Sequence, residues 1–536
     1  MSYRYYGPAD HKLSAREVLF PDGQRPARIA IDTETVSLKD RTPVGVGIAA
    51  SDREAVYFPL APDGSGNPDL PWDLINDQDI LRIYHNYSFD FDVLKDWEPN
   101  PHNIADTLDM AHLLCLTGEL HEVCWAADPY WPHNSTVRSM RDMMAEHGAK
   151  ATVDLPDGVV ARKCCIDCMC TFHLYDSLVD KVDPSYFGME MALVPVLLRM
   201  SRRGIKVDQV MRDIYEEDLE AAIANMKLVA EDVGFNPGSP QQVGYLLAKR
   251  GNWLPFAPGG RSLVTNKKVL EKIQDPLAGF TLQYRHYKHT LGHYVSPLSG
   301  CDRAYTRFHL DAATGRISST EMNLLNWPTL IRPMLLPDSG IFTDADASQI
   351  EMRILAALSG DEEMAYIFEN GLSIHEQTAE AMNCPYKVAK NTGFAMIYGA
   401  TLETMMDTAK TNDRGLAQRY MDAWGRKYRQ AWAWIQETQE EGKRTGRGRT
   451  LLGREFAYPA EEGDAAVARK SVNYPIQGTA AEWFKRALLI CQEEDLVLPV
   501  HDEILFDGEV HIPEVLEWLL PGVHTPVSVR TMARWE

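Results

Sequence analysis

Gly340-Ile341-Phe342-Thr343-Asp344-Ala345-Asp346, continuing into Ala347-Ser348-Gln349-Ile350-Glu351-Met352-Arg353, is the stretch on which the fold turns. Its first seven residues read as a strand. Beyond them Ile350, Ile354, Leu355 and Leu358 recur at helical spacing, so the chain passes from strand to helix with Asp346 at the junction. Far downstream, Leu496 to Val500 and Ile504 to Phe506 flank His501-Asp502-Glu503. Two apolar strands around a polar three-residue turn make a hairpin that presents carboxylates. Between these elements a helix starts near Pro385, a favoured first-turn residue. Tyr386, Lys390, Phe394 and Tyr398 recur every four residues along it as one slowly drifting stripe, and Gly399 ends it. A lone buried Lys would be costly, so this stripe is expected to form an open, anion-facing surface.

Working back toward the N-terminus, residues 208–300 read as mostly helical, broken by Asn236-Pro237-Gly238-Ser239-Pro240 and Pro258-Gly259-Gly260. A linker at Asp183-Pro184-Ser185 precedes a helix from Met189 to Arg203 that Gly204 closes. The first 190 residues alternate strands and helices. Arg28 to Ile31 is a short strand, Val44 to Ala50 and Ala55 to Leu60 continue the sheet antiparallel, Leu81 to His85 adds another strand, and Cys164 to Leu178 is helical. Asp32 and Glu34 follow the first strand and project from one face, as two carboxylates sharing a Mg²⁺ must. Asp90, in His85-Asn86-Tyr87-Ser88-Phe89-Asp90, comes next, then Asp106, then Asp167 on a helix. Cys165-x-x-Cys168 has zinc-like spacing that Cys115 and Cys124 could complete, with Cys164 and Cys170 alongside. The same cysteines surround Asp167 on a helix, where free Cys is a common core residue.

The chain has 536 residues with 54 Lys+Arg and 76 Asp+Glu, a net charge of −22. That length predicts three to four structural units, and 45% hydrophobic with 24% charged residues excludes a disordered or fibrous chain. No apolar run approaches the roughly 20 residues that span a bilayer. Met1 to Tyr6 lacks a signal-peptide layout, and nine scattered Cys suit a reducing cytoplasm, so no membrane partner is expected. Taken whole, −22 argues against a polyanionic partner. The charge is uneven, however: residues 1–190 carry 16 Lys+Arg and 31 Asp+Glu, the remainder 38 and 45.

The run Asp346 to Arg353 resembles motif A of family A DNA polymerases, the Pro385–Gly399 helix resembles motif B, and His501-Asp502-Glu503 resembles motif C. The series Asp32-Thr33-Glu34, Asp90 and Asp167 is similar to the DEDD 3′–5′ exonucleases found in that family. The resemblance runs from about residue 28 to the C-terminus. It implies a multidomain α/β and α+β chain: a ribonuclease H-like exonuclease domain at 1–188, then a right-hand polymerase domain at 189–536. Within the latter the thumb would be about 200–300, the palm about 301–370 and 470–536, and the fingers about 371–469. A 5′-nuclease domain is not expected, because the exonuclease motif begins at residue 32. This compact layout, bacterial DNA polymerase I-like, resembles a bacteriophage replicative enzyme acting as a monomer in the bacterial cytoplasm.

The resemblance also implies residue roles. Asp346 and Asp502 would hold two Mg²⁺, for which Mn²⁺ can substitute, with Glu503 supporting them. Lys390 would hold the triphosphate, Phe394 the sugar, and Tyr398 the base. The usual Arg one turn earlier is Tyr386, so Lys387 or His375 would substitute. Glu351 with Tyr398 would exclude the ribose 2′-hydroxyl. Arg316, Asn323, Asn326, Arg469, Asn473, Gln477 and His501 would contact primer–template DNA, and Lys443 to Arg449 with Arg454 would face phosphates without interleaved acids. Asp32, Glu34, Asp90 and Asp167 would hold two metal ions for 3′–5′ proofreading. The Tyr or His that orients the attacking water in the family is Lys163 here. No processivity factor is specified. A stand-alone exonuclease with a degenerate polymerase module, and a non-catalytic DNA-binding scaffold, are the rivals.

Overall fold

The computed structural model describes residues 4–5, 19, 23–37, 40–60, 67, 69–97, 99–131, 138–257, 259–411 and 413–536. Met1 to Tyr6, weighed above for a leader, lies outside these residues except for Arg4 and Tyr5, and so does Pro258.

Six strands form the first sheet: β1 (Arg4–Tyr5), β2 (Arg28–Thr35), β3 (Pro43–Ala49), β4 (Ala55–Pro59), β5 (Leu81–Tyr84) and β6 (Ile104–Asp106). Their spatial order is β1-β4-β3-β2-β5-β6, antiparallel from β2 to β4 and parallel from β2 through β5 to β6. Strands β2 to β6 are mostly buried along their length, as in a sheet covered on both faces. Helix α1 (Tyr87–Val93) follows β5, and α2 (Asp157–Leu178) lies across β2, β3 and β4. Cys164, Cys165, Cys168 and Cys170 are buried in the core beneath α2, where Gly47 leaves room for the sulfurs of Cys164 and Cys168. Cys115 instead reaches the C-terminal half, accepting from the Ala457 amide at 3.1 Å. Among the described residues the cysteines therefore gather no zinc site; they pack as small apolar side chains.

The expected linker at residues 183–185 is the start of a helix. Asp183 accepts from the Tyr186 amide as N-cap and Pro184 takes the first turn, so α3 runs Pro184–Arg203. The boundary expected between residues 188 and 189 falls inside it. Val194 and Leu198 pack into the core on one face of the first sheet, whereas Leu193, Val196, Leu197 and Met200 pack into the C-terminal core. One rigid helix thus belongs to both halves.

Helices α4 (Gln209–Val233), α5 (Pro240–Lys249) and α6 (Pro276–Thr290) enclose a small separate core around Phe235, Val243, Leu247 and Leu277. The second sheet is antiparallel and holds β7 (Phe342–Ala347), β8 (Leu496–Val500), β9 (Glu503–Asp507) and β10 (Val527–Met532) in the order β8-β9-β7-β10. Helix α7 (Ile350–Ser359) packs against α10 (Asp464–Ile490), and α8 (Ile374–Met382) packs against α9 (Tyr386–Ile397). No helix among the described residues is long and apolar enough to cross a membrane.

Candidate functional sites

In the C-terminal half two strands converge on one acidic patch. Asp346 and Glu503 are directly paired across β7 and β9, so their side chains share a face. The expected three-residue turn is tighter: Val500 pairs with Glu503, leaving only His501 and Asp502 in the loop, with His501 in the left-handed region at φ 59°. The Asp502 carbonyl accepts from the Ala347 amide at 3.0 Å, fixing the turn against the end of β7. Burial, then the charges of Asp502 and Asp344, push the Asp346 carboxyl up to about 6. Lys390 lies near enough to oppose that shift.

Glu503 is turned toward the C-terminus. Its Oε1 accepts from Trp535 Nε1 at 3.0 Å, and Arg332 stacks over the Trp535 ring at 4.1 Å. Burial and the neighbouring Asp344 raise it to about 7. Asp344, two residues before Asp346 on the same strand face, is buried and paired with Arg530, directly opposite on β10. Sequence reasoning misses these supporting residues. The period-two spacing of Asp344 and Asp346 is the available signal, whereas Arg332, Arg530 and Trp535 carry none.

On α9 the stripe is open as expected: Tyr386, Lys387, Lys390 and Tyr398 are exposed and Phe394 is half-buried. Lys390 and Lys387 make no ion pair among the described residues. Gly399 (φ 64°) follows the helix where the Arg469 backbone passes, 3.2 Å from where a Cβ would stand, so α9 and α10 meet closely. His375 departs from expectation. It is 4% exposed, its ring 5.8 Å from Phe394, and burial followed by the Lys390 charge lowers it to about 4. It supplies a neutral ring rather than a second positive charge.

Glu351, in the first turn of α7, contacts Arg316 through Oε1 and accepts from the Tyr398 hydroxyl through Oε2 at 3.0 Å. Arg316, expected on DNA, is therefore tied to Glu351, with His501 and Asp502 lining the same small cavity. Asn323 caps a short 3₁₀ turn, its Oδ1 accepting from the Asn326 amide at 3.1 Å, which leaves its side-chain N–H₂ outward. Arg469, Asn473 and Gln477 are four residues apart on α10 and share its solvent-reached face. The cationic stretch is partly paired. Lys443 pairs with Glu440 at 2.5 Å, Arg444 with Glu441 at 3.8 Å and Arg447 with Glu455 at 3.3 Å. Arg454 is buried against Tyr186. Acids one helical turn away or across the ladder pair with Lys443, Arg444 and Arg447, whereas Arg449 is exposed with no ion pair among the described residues.

In the N-terminal half Asp32 and Glu34 on β2, Asp90 on α1 and Asp167 on α2 converge, all mostly buried. Thr33 Oγ1 donates to Asp90 Oδ1 at 2.8 Å. Burial and the Asp167 charge push Asp32 up to about 7, and burial pushes Glu34 up to about 8. Cys164 Sγ donates to Asp32 Oδ2 at 3.5 Å. Asp106 serves the fold alone, capping the helix Thr107–Leu113 and accepting from the amides of Asn86 and Tyr87.

Both clusters fit hard divalent cations by donor type, since carboxylate oxygens crowd together at a cost that a cation removes. The crowding registers in the raised carboxyls and in the buried, hydrogen-bond-free Oε1 of Glu34. Asp346 must shed its proton before binding a cation, and its folded value near 6 lies above the ordinary 3.8. Metal binding at this site is therefore expected to weaken about tenfold per pH unit below about 6. The half-saturating Mg²⁺ concentration, measured between pH 5 and pH 7.5, checks this; a flat profile contradicts it.

The sequence pattern described as DNA polymerase family A matches residues 207–519, and that described as 3′-5′ exonuclease matches residues 14–126. DNA polymerase I of Pseudomonas aeruginosa is 30% identical, over 92% of this chain and 61% of that protein. DNA polymerase I of Bacillus subtilis is 26% identical, over 91% and 63%. The chain thus spans about three fifths of the length of the curated relatives it matches. A solved structure, the POL domain of Pol1 from M. smegmatis in complex with DNA primer-template and dNTP, has the same fold. It covers 100% of this chain and 99% of that one, with TM-score 0.76 and 21% identity.

Proposed function

The chain belongs to DNA polymerase family A, and from that premise we propose that it extends a primer 3′ end with deoxynucleoside triphosphates on a DNA template. A 3′–5′ exonuclease in its N-terminal half would work on the same primer, and the protein would act in the cytoplasm. The observation that carries this reading is the convergence of Asp346, Asp502 and the exposed Lys390 within mutual electrostatic reach. Asp346 and Asp502 would hold Mg²⁺, which supplies activation of the primer hydroxyl and neutralises charge on the triphosphate.

The chain's own residues do the positioning. Lys390 offers a point charge to the triphosphate from the open face of α9, with Lys387 one turn before it. Phe394 and Tyr398, on the same stripe, give the sugar and base an aromatic wall. Arg469, Asn473 and Gln477 offer donors and acceptors along one face of α10, suited to the near-degenerate minor groove. Glu503, restrained by Trp535, holds negative charge beside Asp346 without leaving its strand. A stand-alone exonuclease with a decayed C-terminal module is not favoured, because the family pattern runs unbroken through residues 207–519.

Template-directed primer extension with Mg²⁺ and deoxynucleotides tests the reading, and no extension on any primed template overturns it. Sugar selection is a separate test. Glu351 and Tyr398 close one wall through a hydrogen bond, so Glu351→Ala should raise ribonucleotide incorporation by on the order of 10- to 100-fold. Unchanged selectivity in competition assays would remove Glu351 from that role.

A further inference from the structure

The exonuclease carboxylates already contain a cation. Lys163 and Asp167 are one turn apart on α2, and the Lys163 ammonium contacts Asp167 Oδ2 while lying 3.9 Å from Glu34 Oε1. The Lys163 side chain is 11% exposed. The carboxylates of Asp167 and Glu34 both face its ammonium. Glu34 Oε1 has no hydrogen-bond donor, and the ammonium is the nearest positive charge described for it. On the other side of the cluster, Asp32 and Glu34 bring carboxylate oxygens within 4.8 Å of each other and of Cys164 Sγ. That thiol donates to Asp32 Oδ2 at 3.5 Å, which leaves Asp32 Oδ1 without a partner from it.

We propose that the Lys163 ammonium takes the place of one divalent metal, between Asp167 and Glu34, so that this site takes up a single metal ion at Asp32 and Glu34. This rests on the exonuclease reading and deepens it. The physical reason is competition for the same oxygens. A divalent ion bound between Asp167 and Glu34 would sit beside a fixed positive charge that cannot diffuse away, because its tether is part of a 22-residue helix. A mobile monovalent ion would be displaced; a covalently held ammonium is not. A hard divalent ion also needs several oxygens around it, and Lys163 already engages Asp167 and faces Glu34. At Asp32 the thiol of Cys164 brings no charge that would oppose a metal.

The test is Mn²⁺ binding by isothermal calorimetry and electron paramagnetic resonance. It uses the full chain carrying Asp346→Asn and Asp502→Asn, which silence the other acidic site. This parent is expected to bind one Mn²⁺, and adding Lys163→Met or Lys163→Tyr is expected to give two. Without metal those additions should also lower the thermal midpoint, and Mn²⁺ should restore it further than in the parent. Two Mn²⁺ in the parent, or one in both Lys163 variants when folded, overturns the proposal. Should neither Lys163 variant fold, the parent stoichiometry decides alone: one supports it, two refutes it. Zero in the parent removes the exonuclease reading itself, whereas two removes only the assignment of Lys163.

Discussion

Asp502→Asn is expected to slow primer extension by on the order of a thousandfold while leaving primer–template affinity within about threefold. The amide keeps the shape of the two-residue turn and its backbone bond to Ala347, which uses the main-chain carbonyl rather than the side chain. What disappears is one of the two carboxylates that would hold the cations. Losing several kcal/mol of charge stabilisation corresponds to about three powers of ten in rate, at roughly 1.4 kcal/mol each. Asp346 would respond as well. Without the Asp502 charge, one cause of its upward shift is gone, so it should ionise at lower pH than the present value near 6. Duplex affinity should persist, because the residues proposed to touch DNA lie mainly on α10 and around Asn323, beyond the hairpin. Single-turnover extension and fluorescence anisotropy measure the two quantities. A loss below tenfold would remove Asp502 from the centre of the chemistry.

The second large effect concerns stability. Lys485 on α10 and Glu190 on α3 form an ion pair in which both side chains are 1% exposed. Breaking such a pair from one side leaves a charge in the interior, at a cost of about 3–5 kcal/mol. Lys485→Met is expected to destabilise the protein by that amount. The double variant Lys485→Met/Glu190→Leu should recover most of the loss, since two apolar side chains of similar volume leave neither member of the pair charged and alone. Asp109 would feel the single change as well, because Lys485 is among the charges holding its buried carboxyl down. The location makes the effect global. Glu190 rides on the helix whose neighbouring turns pack into both cores, so both halves should loosen together. Denaturant unfolding followed by separate probes in each half checks this. A single variant costing less than about 1 kcal/mol, or unfolding confined to one half, contradicts it.

How far each site can be read from the chain depends on the range of its interactions. Asp346, Glu351 and the α9 stripe are readable because period-two and period-four spacing fix which side chains share a face, whatever packs above them. The helix cap at Asp183 reads as a linker, since an N-cap and a turn use the same residue types. Arg447 reads as free because its partner needs the folded chain: Glu455 faces Arg449 across a two-stranded ladder and reaches Arg447 diagonally, at 3.3 Å. His375 looks like a spare cation, and only its burial in the fold, with the Lys390 charge nearby, lowers its pKa.

Sequence by itself determined the family, the two acidic clusters and most of their members, because each cluster is built from short motifs whose local geometry is set within one strand or one turn of helix. Folding decided the state of those groups. It turned Glu503 toward Trp535, paired Asp344 with Arg530, and drew one helix into two cores. It also placed the Lys163 ammonium between a carboxylate of its own helix and those of a strand more than a hundred residues away. Charge state and metal capacity depend on what lies within a few ångströms in space, and residues more than a hundred positions apart become neighbours only when the sheets close.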